Sequence, residues 1–102
     1  MKPYEIHSMG YLANRDAYLI GADFLDGIKI EALVPATGLG TYDLWEFEVF
    51  ENGKHLYTFE SQHQCASDSP ERTQPSFGGL KDEEVLSIFE DAYQNYQTRI
   101  GA

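Results

Sequence analysis

The chain contains a single cysteine, Cys65, among its 102 residues, so no disulfide can form within it. Disulfides are typical of secreted domains, and their absence favours a reducing compartment. The N-terminal residues carry no apolar stretch of signal-peptide length, and no apolar run approaches the roughly 20 residues that a membrane-spanning helix requires. We therefore expect a cytoplasmic protein that does not associate with membranes.

Basic residues are scarce in this sequence: seven Lys and Arg stand against 17 Asp and Glu, and the formal net charge is −10. A protein that binds the phosphate backbone of nucleic acid needs a positive patch that releases counterions. The few cations are instead scattered along the chain. We therefore expect no direct binding to nucleic acid.

Motifs that carry catalysis or hold a cofactor are also missing. His63 and Cys65 form the one close His/Cys pair, whereas structural zinc sites usually combine two such pairs. The glycine-rich stretch 37–41 leads into a predicted strand rather than a helix, so it offers no helix N-terminus to a phosphate. No serine lies in a Gly-x-Ser-x-Gly elbow. Cys65 could pair with His63 or His7, but such a pair also needs an orienting third group and an oxyanion donor, and no helix N-terminus follows Cys65. We therefore expect no enzymatic activity, no cofactor and no metal.

Apolar and aromatic residues are abundant, at 42% and 14% of the chain. Acidic disordered chains are poor in aromatics, so this composition favours a folded body. A chain of this length can bury a core without disulfides, which predicts a single domain over residues 1–102.

Two segments alternate apolar and polar residues with a period of two, which predicts β-hairpins at residues 17–34 and 43–62. Asp26-Gly27 and Asn52-Gly53 mark the two turns. In both hairpins we expect a three-residue loop that ends in a G1 bulge at the glycine, because that register collects the aromatic side chains on one face. The expected cross-strand pairs are Phe24–Ile28 in the first hairpin and Val49–His55, Phe47–Tyr57 and Trp45–Phe59 in the second.

The remaining segments complete the predicted fold. Residues 82–100 carry apolar side chains at helical spacing, which predicts an amphipathic C-terminal helix. Residues 63–79 are polar and contain two prolines and two glycines, which predicts a long loop. Residues 4–12 alternate weakly and would supply a further strand. The predicted fold class is α+β, an antiparallel sheet of four or five strands packed on one helix, with a small closed barrel as the alternative.

The polar face of the second hairpin is the candidate functional surface, because acidic and apolar side chains alternate there. Opposite charge would speed the encounter with a basic protein, and the apolar side chains would supply buried area. The alternative is that the negative charge serves only to keep the domain soluble and monomeric. The candidate partner-binding residues are Glu46, Glu48, Phe50, Glu51, Leu56 and Glu60.

These observations favour a small acidic protein-interaction domain that inhibits a basic nucleic-acid-binding protein by mimicking nucleic acid. Phage-encoded inhibitors of host defence nucleases are an analogy in charge and size. An immunity or antitoxin protein that neutralises a toxin through residues 63–79 is one alternative. A small-molecule-binding module or an unrecognised enzyme is another, and it would require a concave pocket.

Overall fold

A computed structural model describes residues 3–35, 42–64 and 82–101 of the chain. These residues form five strands and one helix, and the strands pair in chain order, each antiparallel to the next. The elements are β1 Glu5–Leu12, β2 Ala17–Asp23, β3 Ile28–Pro35, β4 Tyr42–Glu51, β5 Lys54–Gln64 and α1 Asp82–Gly101.

The predicted α+β fold, an antiparallel sheet with one C-terminal helix, is confirmed, and the N-terminal segment supplies the fifth strand. The sheet is an open meander in which β1 and β5 are the edges, so the closed barrel is not formed by the described strands. Residues 63 and 64 belong to β5, whereas residues 65–79 of the predicted loop lie outside the described part of the chain.

One face of the sheet packs against α1 and forms the core. Alternate residues of a strand point to the same face, and the buried residues of β3 and β4 follow this period of two. The helix contributes residues spaced three and four apart, which lie on one side of it. The fully buried large side chains are Trp45, Phe47, Phe89, Ile20, Ile30, Val34, Val49 and Val85.

The first hairpin has the predicted loop. The backbone N–H of Phe24 donates to the carbonyl of Ile28 at 2.8 Å, and Gly27 lies in the left-handed region with φ 88°. A glycine is suited to this position because it has no Cβ to clash there. The strands continue in the predicted register, with Ala22 opposite Ile30.

The second hairpin differs from the prediction. Glu51 pairs with Lys54, so the loop is the two residues Asn52 and Gly53, whose φ angles of 50° and 88° are typical of a type I′ turn. An extra residue, Leu56, is inserted in β5 between the paired positions of His55 and Tyr57.

This bulge explains why the predicted pairs were wrong while the predicted face was right. A bulge reverses the inward and outward alternation once, so Tyr57 and Phe59 return to the helix side although the turn is two residues long. Phe47 is therefore opposite Phe59 rather than Tyr57, and Tyr57 takes the place opposite Val49 that the prediction gave to His55.

Asp26 joins the first turn to the helix. Its carboxylate accepts a hydrogen bond from the Tyr93 hydroxyl and a second one, at 3.2 Å, from the backbone N–H of Ile28. The Tyr93 ring stacks on Phe24 with the ring centroids 4.5 Å apart. Burial, together with the hydrogen bond to the charged Asp26, raises the pKa of Tyr93 from 10.0 to about 12.

Replacing Tyr93 by Phe should lower the free energy of unfolding by about 1.5–3 kcal/mol, because a buried hydrogen bond to a charged group is lost. The folded pKa lies above the ordinary value, so Tyr93 stabilises the fold below pH 10 and this contribution disappears as the pH rises toward 12. The Tyr93→Phe variant should therefore also lose less stability than the wild type between those pH values. Urea unfolding across this pH range measures both effects.

Tyr11→Phe is the matched control. The Tyr11 hydroxyl also donates to an aspartate, Asp16, at 2.5 Å, but the Tyr11 side chain is 47% exposed. We expect this variant to lose less than about 0.5 kcal/mol, as is usual for surface substitutions. Equal losses in the two variants would contradict a special role for the buried hydroxyl.

Candidate protein-interaction surface

The face of the sheet opposite α1, called the outer face here, carries the side chains that alternate with the core. In the part of the chain that the structure describes, no helix or strand packs over this face. Two rows of directly opposite residues cross it from β2 to β5. One row is Leu19, Leu33, Glu46 and Glu60, and the next is Gly21, Glu31, Glu48 and Thr58.

The two rows bring four carboxylates together, which we call the acidic block: Glu31, Glu46, Glu48 and Glu60. Glu31 lies directly opposite Glu48, and Glu46 lies directly opposite Glu60. Directly opposite side chains have their Cβ atoms only about 5 Å apart, and like charges in such positions destabilise a sheet. The acidic block therefore costs the folded protein free energy.

Two cations offset part of this repulsion. An Arg15 Nη2 atom lies 3.1 Å from an Oε2 of Glu46, and the Lys29 Nζ lies 3.4 Å from an Oε2 of Glu31. Glu48 and Glu60 have no ion-pair partner among the described residues. Each like-charge pair of the acidic block therefore contains one carboxylate that is open to an external cation.

Leucines lie beside the acidic block on the same face. Leu19 of β2 is directly opposite Leu33 of β3, and Leu12 of β1 is nearby. Together with Arg15, Thr58 and three of the four carboxylates, these leucines line a shallow pocket of about 250 Å³, called the leucine pocket here. The lining of the pocket thus combines apolar and acidic side chains, a combination that suits a long side chain with a positive end.

The structure brings three of the six predicted site residues into the acidic block, namely Glu46, Glu48 and Glu60. Phe50 is on the same face near the turn, half-buried, and its ring meets the edge of His55 with the centroids 5.3 Å apart. Leu56 is the inserted residue of the bulge and is 38% exposed.

Glu51 is separated from the acidic block. It follows Trp45, Phe47 and Val49 at the spacing of two, so it lies on the helix side of β4. Burial raises the pKa of Tyr96 on the helix, and the negative charge of Glu51 raises it further.

Four contributors to the surface, Glu31, Leu12, Leu19 and Leu33, were not among the predicted site residues. The alternation of β3 already points Glu31 and Leu33 away from the core. What the sequence does not contain is the pairing of β3 with β4, which places Glu31 against Glu48.

His63 lies on the helix side of β5 rather than on the outer face. Its ring packs against Trp45 with the centroids 5.4 Å apart, and burial lowers its pKa, an effect that the charge of Asp91 partly opposes. Within residues 3–35, 42–64 and 82–101, no three His, Cys, Asp or Glu side chains are grouped so as to hold a metal ion. Cys65 lies outside these ranges.

Comparison of the chain with protein-family models, with curated proteins and with solved structures finds no match. No helix among the described residues has the length and apolarity needed to cross a membrane. The outer face itself is therefore the basis for assigning a function.

Replacing Glu60 by Gln should raise the free energy of unfolding by about 0.2–1 kcal/mol, because the repulsion between Glu60 and Glu46 is removed. The gain should shrink as salt screens the charges. Chemical denaturation at low and at high ionic strength measures it.

The matched control is Glu83→Gln, which removes the same charge from the exposed first turn of α1. A carboxylate there interacts favourably with the helix dipole, so this variant should lose about 0.3–1 kcal/mol. A stabilisation of similar size in both variants would indicate a general effect of net charge and would contradict a local repulsion in the acidic block.

Proposed function

We propose that this protein is a small acidic inhibitor that binds a basic, nucleic-acid-binding protein through its outer face. The observation that carries the proposal is the acidic block, in which two like-charge pairs are held on a face that no described element covers. Glu48 and Glu60 in that block lack an ion-pair partner among the described residues.

The repulsion within the acidic block supports binding of a cationic partner. A positive side chain placed between Glu46 and Glu60, or between Glu31 and Glu48, would interact with two carboxylates and relieve their mutual repulsion. That relief is gained only in the complex, so it adds to the binding free energy. Opposite charge on the two proteins would also raise the association rate, most strongly at low ionic strength.

The arrangement of the carboxylates supports mimicry of nucleic acid. In an antiparallel sheet, opposite residues lie on strands about 4.8 Å apart, and residues of one face recur about every 6.8 Å along a strand. The acidic block thus holds four carboxylates at regular spacings in two dimensions, two of them without an ion-pair partner among the described residues. DNA also presents its negative charges at a regular spacing, of roughly 1.7 Å along the helix axis, and the proteins that bind it meet them with Lys and Arg.

The placement of the acidic block favours a binding role over a role in solubility alone. A charge that only keeps a domain dispersed can be spread over the surface, where its members do not oppose one another. In the acidic block, by contrast, each carboxylate lies directly opposite another carboxylate on the neighbouring strand. A partner that neutralises the block gives a reason for this cost.

Reversing the charges of Glu48 and Glu60 together, as Glu48→Lys/Glu60→Lys, should abolish binding and leave the fold intact. The two lysines would face Glu31 and Glu46, so the sheet should gain ion pairs while the surface loses its negative potential. Partner affinity should fall by about 1000-fold or more, since the loss of each of two close charge pairs costs about 2 kcal/mol or more.

The control is Glu83→Lys/Asp91→Lys, which changes the net charge equally at two exposed positions of α1. Proteins captured from a lysate by the wild type are purified, and each is titrated with the three proteins at several salt concentrations. We expect to capture a nucleic-acid-binding protein that DNA displaces from the wild type. This protein should still bind Glu83→Lys/Asp91→Lys and should no longer bind Glu48→Lys/Glu60→Lys. Equal binding by all three proteins, or no competition by DNA, would contradict the proposal.

A further inference from the structure

We infer that the leucine pocket receives an arginine side chain of the partner, with its aliphatic stem on Leu19 and Leu33 and its guanidinium between Glu31 and Glu48. This inference rests on the proposed function and names the group by which the partner would be anchored. It follows from where the apolar and acidic parts of the outer face meet.

The two rows of the outer face provide the geometry. Leu19 and Leu33 are adjacent in one row, and Glu31 and Glu48 are adjacent in the next. All four residues line the same pocket of about 250 Å³. A side chain that crosses from one row to the other would therefore lay its methylene groups on the leucines and place its charge between the carboxylates, as long cationic side chains do at protein surfaces.

The chemistry of the lining favours arginine over lysine. Glu31 and Glu48 lie opposite each other on adjacent strands, and a planar guanidinium has donors along more than one edge with which it could reach both carboxylates. The ammonium of lysine is a compact charge that holds its water more strongly, so it loses more when it enters a pocket. Arg15, which also lines the pocket, already pairs with Glu46 at 3.1 Å, so the carboxylates of this lining that remain for a second guanidinium are those of Glu31 and Glu48.

Charge complementarity selects this occupant over two others. A second copy of the chain would bring a second acidic block against the first, and a nucleic acid would bring phosphates, so both would be repelled. An arginine-bearing segment of a basic protein satisfies the leucines and the carboxylates together.

The test is a titration of the protein with two capped peptides of equal charge, hexa-arginine and hexa-lysine, followed by NMR of backbone amides and leucine methyl groups at low salt. Hexa-arginine should shift the methyl signals of Leu19 and Leu33 and bind at least about fivefold more tightly than hexa-lysine, because the guanidinium offers donors along more than one edge and is less strongly hydrated than the ammonium. Leu33→Thr should weaken the binding of hexa-arginine severalfold and that of hexa-lysine by a smaller factor, because lysine enters the pocket less readily.

Leu25→Thr is the matched control, since Leu25 is 79% exposed and lies in the turn between β2 and β3, outside the pocket. It should change neither affinity. Equal affinities of the two peptides, unshifted leucine methyl signals, or no binding of either peptide would each overturn the arginine anchor. Leucine methyl signals that change with protein concentration in the absence of peptide would indicate that a second copy of the chain occupies the pocket, and this result would also overturn the arginine anchor.

The two proposals fail in different ways. A captured partner whose binding is lost in Glu48→Lys/Glu60→Lys supports the inhibitor even when both peptides bind equally, and in that case only the arginine anchor is wrong. If hexa-arginine binds more tightly than hexa-lysine but no nucleic-acid-binding protein is captured, the arginine anchor is supported and the proposed inhibitor function is wrong.

Discussion

The stacked contact between Phe47 and Phe59 holds β4 and β5 in the register on which the whole outer face depends. The two rings are nearly parallel, with centroids 4.9 Å apart, and Phe89 of the helix meets Phe47 edge-on at 6.2 Å. Because side chains alternate between the faces, a shift of one residue would turn every side chain of β5 over. The same contact that closes the core therefore sets Glu46 opposite Glu60 on the other side.

The free energy of burying apolar side chains exceeds that of the repulsion between carboxylates, so the core determines where the charges lie. Burying a large apolar side chain contributes about 1.5–3 kcal/mol, whereas a like-charge pair across two strands costs about 0.2–1 kcal/mol. The register expected from the sequence would have placed Glu60 opposite Leu44 and spared the protein the Glu46–Glu60 repulsion. That register would also have put His55 opposite Val49 in the core. In the observed register Tyr57 fills that place.

Tyr57 is better suited than His55 to the position opposite Val49. Its hydroxyl donates to Asn95 Oδ1 at 3.1 Å, and the guanidinium of Arg99 lies 4.0 Å above its ring. His55 instead moves to the outer face, where its Nε2 is 3.2 Å from the Thr58 hydroxyl. Both ends of the tyrosine side chain thus find partners on α1, which a histidine at this position could not reach in the same way.

The two hairpins show what local sequence can and cannot predict. At Gly27 the turn signal and the alternation on both sides agree on one register, so the prediction was correct. At Gly53 the turn signal and the alternation favour different registers unless β5 contains a bulge. Nothing in the local sequence indicates that Leu56 is the bulged residue. The position of Glu51 on the helix side, in contrast, follows from its spacing to Trp45 and was available from alternation alone.

Only part of the candidate site could be predicted from the sequence. Alternation within β4 places Glu46 and Glu48 on one face, and that part of the prediction needs no knowledge of the neighbouring strands. Glu31 and Leu33 join them only because β3 pairs with β4. Strand pairing is set by the packing of the whole sheet against α1, and residue types along one strand do not encode it.

The leucines change what an acidic surface of this kind can do. Attraction between exposed charges is screened over about 8 Å at physiological ionic strength, so a purely acidic face would bind many cations weakly and release them readily. Buried apolar area is not screened by salt, and Leu19 and Leu33 would add it directly beside the carboxylates. In the proposed complex the charges would therefore govern how fast a basic partner arrives, and the leucines would govern which partner remains bound.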